Sequence, residues 1–173
     1  MKKCVFFDRD GIVNQTPGPG YVERWDDFYL LPAFVESLRI AGECGYEAVI
    51  ITNQRGVARG IMSMDSVKKI HRNLRSVLKD ESGLELLDIY CCPHNNNECD
   101  CRKPKPGMIL EAADKYDIDL TASWMIGDSA TDIEAGRAAG CRTIYVGDKD
   151  MPGAENFRVG DMSELPELMK TIL

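Results

Sequence analysis

Val5-Phe6-Phe7-Asp8-Arg9-Asp10-Gly11 is an apolar run that stops at two aspartates one residue apart. It reads as a buried strand whose carboxyl end carries a reactive centre rather than a further piece of scaffold. In an open α/β sheet, functional groups gather at the carboxyl ends of the strands, where backbone pairing stops and the loop turns toward a ligand. Two close carboxylates repel each other and are poorly solvated together. Asp8 and Asp10 therefore call for a shared proton or a divalent cation between them.

Outward from this run, short apolar segments recur at Cys4–Phe7 itself, Ala48–Thr52, Leu87–Cys91, Trp124–Ile126 and Thr143–Val146. Between them, Val67, Ile70, Leu74, Val77 and Leu78 repeat at helical spacing, as do Ile109, Ala112, Ala113 and Tyr116. Pro106 and Gly107 open the second of these helices, while Gly45 and Gly140 stand where helices stop ahead of a strand. The apolar stripes are core packing. Strand alternating with helix predicts an α/β fold, a Rossmann-like parallel sheet with helices on both faces. A chain of 173 residues fits one domain, expected over 1–173.

Composition narrows the partners. The 21 basic and 28 acidic side chains leave a net charge of −7, which repels a phosphate backbone, so no nucleic-acid partner is expected. No apolar stretch approaches the ~20 residues that span a bilayer, and Asp8 breaks the first run too early for a signal peptide. A soluble cytoplasmic monomer without a membrane partner is expected. Without an export signal, the seven cysteines read as thiols or metal ligands before disulfides.

Polar residues collect at the other strand ends as well. The second strand runs into Thr52-Asn53-Gln54 and the fourth into Gly127-Asp128-Ser129-Ala130-Thr131-Asp132, and Arg102-Lys103-Pro104-Lys105 supplies a lysine just before a helix. Phosphoryl transfer asks a protein mainly for positioning and for positive charge on the phosphoryl oxygens, which a cation, Lys103 and the Thr52 hydroxyl supply. A carboxylate nucleophile accounts for the first aspartate. Taken singly, each feature has a plainer reading: an Asp-x-Asp turn, a Thr52-Asn53 cap, Asp128 as a helix N-cap, a solvated Lys103 or Lys105. Their joint occurrence, in order, at successive strand ends favours the chemical reading.

These pieces, in this order, resemble the haloacid dehalogenase superfamily of phosphohydrolases, and the resemblance covers nearly the whole chain. It implies that Asp8 attacks phosphorus to form an aspartyl phosphate, that Asp10 carries the proton, and that Thr52 and Lys103 hold the phosphoryl group, with Lys105 as the fallback lysine. It further implies Mg²⁺ bound by the Asp8 and Asp128 carboxylates and the Asp10 carbonyl, with Asp132 orienting that shell.

Cys92-Pro93-His94-Asn95-Asn96-Asn97-Glu98-Cys99-Asp100-Cys101 places three thiols and an imidazole within ten positions. Cys92, His94, Cys99 and Cys101 make a closed Cys₃His zinc site that organises a loop. Cys99 and Cys101 are too close in sequence for an unstrained disulfide. Cys4, Cys44, Cys91 and Cys141 read as small core residues. The zinc loop resembles the branch of the superfamily that includes heptose bisphosphate and histidinol-phosphate phosphatases, and the spacing between Asn53 and Lys103 leaves no room for a large cap domain. That branch implies substrate contacts at Gly20, Tyr21, Asn53, Gln54, Arg55 and Arg102, and a phosphorylated sugar, the 7-phosphate of a heptose 1,7-bisphosphate, as substrate. A forked guanidinium such as Arg102 suits a second phosphate. Ser129 departs from the lysine common at that position in the heptose enzymes, and Pro17-Gly18-Pro19 is an insert. Histidinol phosphate is the alternative substrate. A polynucleotide 3′-phosphatase is disfavoured by the acidic balance, and a receiver domain by Asp10 and the zinc loop.

Overall fold

The structure, a computed structural model, describes residues 1–149 and 154–173. In chain order the elements are β1 (Lys3–Phe7), α1 (Pro32–Glu43), β2 (Tyr46–Asn53), α2 (Met64–Ser82), β3 (Asp88–Cys92), α3 (Gly107–Tyr116), β4 (Trp124–Gly127), α4 (Ala130–Ala139), β5 (Arg142–Val146), β6 (Phe157–Val159) and α5 (Leu165–Ile172). The five strands expected from the sequence are present within one or two residues of their expected bounds. β6 and α5 were not among the expected elements.

The strands form one parallel sheet in the order β3-β2-β1-β4-β5-β6. Succession runs one way from β1 through β2 to β3 and the other way from β4 to β6, so the crevice between β1 and β4 is the point where the order reverses. Ligands of open α/β sheets bind at such a crevice. Phe7 lies opposite Ile50 of β2 and Ile126 of β4, which brings the ends of these three strands level.

Both faces of the sheet are covered, as an all-parallel sheet requires. Because side chains alternate along a strand, Val5 and Phe7 join one apolar cluster and Cys4 and Phe6 the other. The first cluster takes Phe34 and Leu38 from α1, Ile70 and Leu74 from α2, and Leu165 and Met169 from α5. The second takes Met108, Ile109 and Ala112 from α3 and Ala135 from α4. Phe6 and Phe7 are wholly buried, and truncating either to alanine would cost about 3–5 kcal/mol. β1 is thus clamped on both faces and both edges, and the loop that leaves it starts from a rigid base.

Between Asn53 and Lys103 stand α2, β3 and the cysteine-rich loop, with no inserted sheet or helical layer among the described residues. Among those residues, no helix is long and apolar enough to cross a membrane. Cys4 and Cys141 are buried and Cys44 and Cys91 half-buried, all as free thiols.

Candidate active site and cysteine–histidine loop

Asp8 follows the last residue of β1, and its backbone N–H still reaches across to Ile126 O at 2.9 Å, so the sheet itself fixes where this carboxylate begins. The chain then turns tightly, with the amides of Ile12, Val13 and Asn14 all donating to Arg9 O. Gly11 sits in that turn at φ +97, and a Cβ there would collide with the Asp128 carboxylate. Only glycine satisfies both conditions, the left-handed backbone and the close approach of β4's loop.

Lys103 enters from the segment that precedes α3. Its backbone is clamped by Asn53, whose Nδ2 donates to Lys103 O while its Oδ1 accepts from Lys103 N, each at 3.1 Å. The buried ammonium lies 2.6 Å from Asp8 Oδ1 and donates to Ile51 O at 3.1 Å. It also lies 2.6 Å from Asp132 Oδ1, an ion pair not aligned as a hydrogen bond. Burial alone would lower the Lys103 pKa, but Asp132 and Asp8 outweigh it and hold the ammonium charged. Asp132 belongs to the first turn of α4, where its Oδ2 accepts from Ser129 N at 3.1 Å and Ser129 Oγ at 2.6 Å. Ser129, rather than Asp128, is the N-cap of that helix. Asp128 is thereby left free to face Asp8.

Asp8, Asp128 and Asp132 each offer a carboxylate oxygen within 4.8 Å of the other two. Burial first, and then the charge of Asp132, push Asp8 up to about 8 against the pull of Lys103. The same two causes push Asp128 up to about 6. Such a cluster of hard oxygen donors with one ammonium among them is short of positive charge, which fits a divalent cation of the Mg²⁺ type.

Asp10 lies in a different environment. Its Oδ1 accepts from Arg9 Nη2 at 2.9 Å and Asn14 Nδ2 at 2.9 Å, and its Oδ2 accepts from Gln54 Nε2 at 2.9 Å. Burial works to raise this carboxyl, but the Arg9 charge and these hydrogen bonds overcome it and hold it below the ordinary carboxylate value. Gln54 is expected at the substrate; it is instead fully buried, its amide spent on Asp10 and on Thr52 Oγ1 at 2.9 Å. Thr52 is buried at the end of β2 beside this group. Arg9, Asn14 and His71 are participants the sequence reading did not single out. An arginine flanked by two aspartates, an asparagine four residues beyond Asp10, and a histidine in the apolar stripe of α2 were the signals available.

A pocket of about 210 Å³ is lined by Asp8, Asp10, Asn53, Lys103, Asp128 and Asp132, with Ser129 and Thr131 at its side. It shares Asn53, Lys103 and Thr131 with a larger cleft of about 430 Å³, to which Asn96, Arg102 and Lys105 also contribute. Arg102 Nε donates to Asn96 Oδ1 at 2.8 Å, and Arg55 Nε to Asn95 Oδ1 at 3.0 Å, so both guanidinium groups are tied to the cysteine-rich loop. Tyr21 packs against Gly56, whose added Cβ would stand 3.0 Å from the ring, and neighbouring Gly20 is exposed.

Cys92, His94, Cys99 and Cys101 converge beside that cleft. Cys92 Sγ is 3.5 Å from Cys99 Sγ and 3.6 Å from His94 Nδ1, and Cys101 Sγ is 3.3 Å from Cys99 Sγ and 3.5 Å from His94 Nδ1. Zinc–sulfur bonds of about 2.3 Å in a tetrahedron put sulfurs about 3.8 Å apart, so the four groups fit a structural zinc ion after a small outward adjustment.

A parallel sheet in this order, with paired aspartates just beyond the end of β1 and a lysine between Asp8 and Asp132, is the arrangement of haloacid dehalogenase-like hydrolases, and residues 100–156 match the HAD-hydrolase-like family model. The chain is 36% identical over 183 aligned positions to the D-glycero-beta-D-manno-heptose-1,7-bisphosphate 7-phosphatase of Pasteurella multocida (strain Pm70), covering 98% of each chain. It is 37% identical to the corresponding alpha-anomer enzyme of Photorhabdus laumondii, covering 88% of this chain and 86% of that one. The crystal structure of D,D-heptose 1,7-bisphosphate phosphatase from B. bronchiseptica, complexed with magnesium and phosphate, superposes with a TM-score of 0.87 at 30% identity over 99% of both chains. The chain belongs to the heptose-1,7-bisphosphate 7-phosphatase family of haloacid dehalogenase-like hydrolases.

Proposed function

We propose that this protein is a phosphomonoester hydrolase that removes the 7-phosphate of a D-glycero-D-manno-heptose 1,7-bisphosphate through an aspartyl-phosphate intermediate. The observation that carries this reading is the buried Lys103 ammonium, 2.6 Å from both Asp8 and Asp132 at the floor of the pocket that opens beyond the end of the central strand. An ammonium so placed pulls Asp8 toward its ionised, nucleophilic form against burial and the charge of Asp132, and meets the charge of an incoming phosphoryl group. Names carried by relatives over nearly the full chain support the sugar bisphosphate.

In this reading Asp8 attacks phosphorus, while Asp10, ionised before the substrate arrives, takes up a proton as the substrate's phosphate dianion binds beside it and gives that proton to the departing alkoxide; the ionised Asp10 then takes a proton from the water that releases phosphate. Lys103 and Thr52 hold the phosphoryl oxygens. The Asp8 and Asp128 carboxylates and the Asp10 carbonyl would hold Mg²⁺, which would supply Lewis-acid charge at the phosphoryl group. Asp132, tied to Ser129 and Lys103, orients the groups around it. Cys92, His94, Cys99 and Cys101 would hold zinc, which would stiffen the loop that carries the Asn95 and Asn96 contacts. The larger cleft, lined by Asn53 and Arg102, receives the rest of the substrate, with Arg102 facing the second phosphate and Asn53 bordering the sugar; Arg55, Gly20 and Tyr21, which are not among its lining residues, add contacts from the neighbouring loops in this reading. The net charge of −7 supports a protein that works on a small molecule without a nucleic-acid partner, and we read it as a cytoplasmic monomer.

The test is kcat/KM with both anomers of heptose 1,7-bisphosphate, histidinol phosphate and a simple phosphomonoester, with Asp8→Asn as control. The expected result is a preference for one heptose anomer and no turnover by the variant. A preference for histidinol phosphate overturns the substrate, and full activity of Asp8→Asn overturns the chemistry.

A further inference from the structure

The side chain of Arg9 is wholly buried although the residue stands between two aspartates at the edge of a pocket. Its Nε and Nη2 donate to Asp10 Oδ1 at 3.2 and 2.9 Å, and Nη2 also reaches Asp10 Oδ2 at 3.2 Å. The remaining nitrogen, Nη1, meets His71 Nε2 of α2 at 3.3 Å, and the Phe28 ring lies 5.9 Å from the guanidinium carbon. A guanidinium only donates, so His71 Nε2 is the acceptor and the ring proton sits on Nδ1. Burial and the Arg9 charge lower the His71 pKa to about 3, which keeps the imidazole neutral and accepting. α2 thereby braces the guanidinium from behind while its fork grips Asp10 from the front.

We propose that Arg9 and His71 are positioning residues that fix the direction in which the Asp10 carboxyl group passes its proton to the leaving oxygen. The inference rests on the assignment of Asp10 as proton carrier given above. In the first half-reaction the Asp8 oxygen bonds to phosphorus as the bond from phosphorus to the leaving oxygen breaks, and that oxygen takes the proton that Asp10 picked up when the phosphate dianion bound. In the second, water's oxygen bonds to phosphorus as the bond from Asp8 breaks, and Asp10 recovers a proton from that water. Both transfers depend on a carboxyl group that does not rotate. Asn14 and Gln54 give Asp10 one amide contact on each oxygen; the Arg9 fork adds the contacts that lock its plane, and His71 fixes the fork.

The experiment compares an alkyl phosphate, hexose 6-phosphate, with p-nitrophenyl phosphate in His71→Leu, His71→Gln, Arg9→Lys and the reference variant Asp10→Asn. An alkoxide needs a proton to depart and nitrophenolate does not. General acid catalysis contributes about 10²–10⁴-fold, so misaiming Asp10 in His71→Leu is expected to lower kcat for the alkyl phosphate by at least about tenfold, with a much smaller loss on the aryl phosphate and little change in KM. His71→Gln, whose Oε1 offers an acceptor in place of Nε2, is expected to restore most of the loss. Arg9→Lys is expected to show the same selectivity. Equal losses on both substrates, or no loss in His71→Leu, overturn the positioning role even if Arg9→Lys fails to fold. If Asp10→Asn itself does not separate the two substrates, Asp10 is not the proton carrier and the reading of the site falls together with the inference.

Discussion

Changing Lys103 to methionine keeps the length of the side chain and removes its charge from between two carboxylates. The ammonium stands 2.6 Å from Asp8 Oδ1 and 2.6 Å from Asp132 Oδ1, and the Lys103 side chain is only 3% exposed, so water cannot take its place. At an effective dielectric constant of about 20, each contact is a gross attraction of about 6 kcal/mol. Most of that offsets the cost of burying the charges, and deleting one member of a buried pair leaves a net loss of about 3–5 kcal/mol. For a chain of this size each kcal/mol moves Tm by about 2–4 °C, so Lys103→Met is expected to melt roughly 6–20 °C below wild type in EDTA. Added Mg²⁺ meets the same carboxylates and is expected to narrow that gap. Activity is expected to fall by about 10²–10³-fold, the usual loss when one preorganised charge is removed from a reaction site. The assay is a circular-dichroism melt in EDTA and in Mg²⁺, paired with kcat/KM. A variant that melts within about 2 °C of wild type in EDTA, or a gap that Mg²⁺ widens, would show that Lys103 does not neutralise this cluster.

Two further outcomes follow from the same geometry. Asp8 is raised to about 8 and Asp128 to about 6, so the folded protein without metal binds protons that the unfolded chain has already released. Stability from these groups is fully present below about pH 4 and is lost as pH rises through those values; since the cation needs them ionised, the gain in Tm from Mg²⁺ should grow between about pH 6 and pH 9, and a constant gain would contradict the assignment. Cys99→Ser removes one corner of the Cys92, His94, Cys101 cluster and is expected to lower both bound zinc, read by elemental analysis, and Tm. Unchanged zinc content would exclude Cys99 as a ligand.

The legible part of the fold was its buried part. β1, β2 and β4 are built around unbroken apolar runs, residues 4–7, 48–51 and 124–126, because both faces of the sheet are covered, and such runs stand out in a sequence. β6 has only Val159 buried, with Phe157 and Arg158 exposed, so three residues at the sheet's edge carry no periodic signal. At the site, Asp8, Lys103, Asp128 and Asp132 were legible because each lies next to a recognisable strand end or helix start, although 95 positions separate Asp8 from Lys103. The surroundings of Asp10 were not. His71 reads as one more member of an apolar stripe until the fold brings it 3.3 Å from an arginine 62 positions away. The inward turn of Gln54 likewise depends on where Asp10 comes to lie, which no local pattern encodes.

The central place of β1 carries a consequence for how the chain comes into being. Phe7 pairs with Ile126, 119 positions further on. At about 5–20 residues per second, the ribosome delivers that partner roughly 6–24 s after Phe7 itself. Through that interval a greasy ribbon made first waits with one edge open, beside β2 alone. The strand that leads into Asp8 is made before the rest of its sheet and enclosed late, so an interrupted translation product would expose it to chaperones and to its own kind.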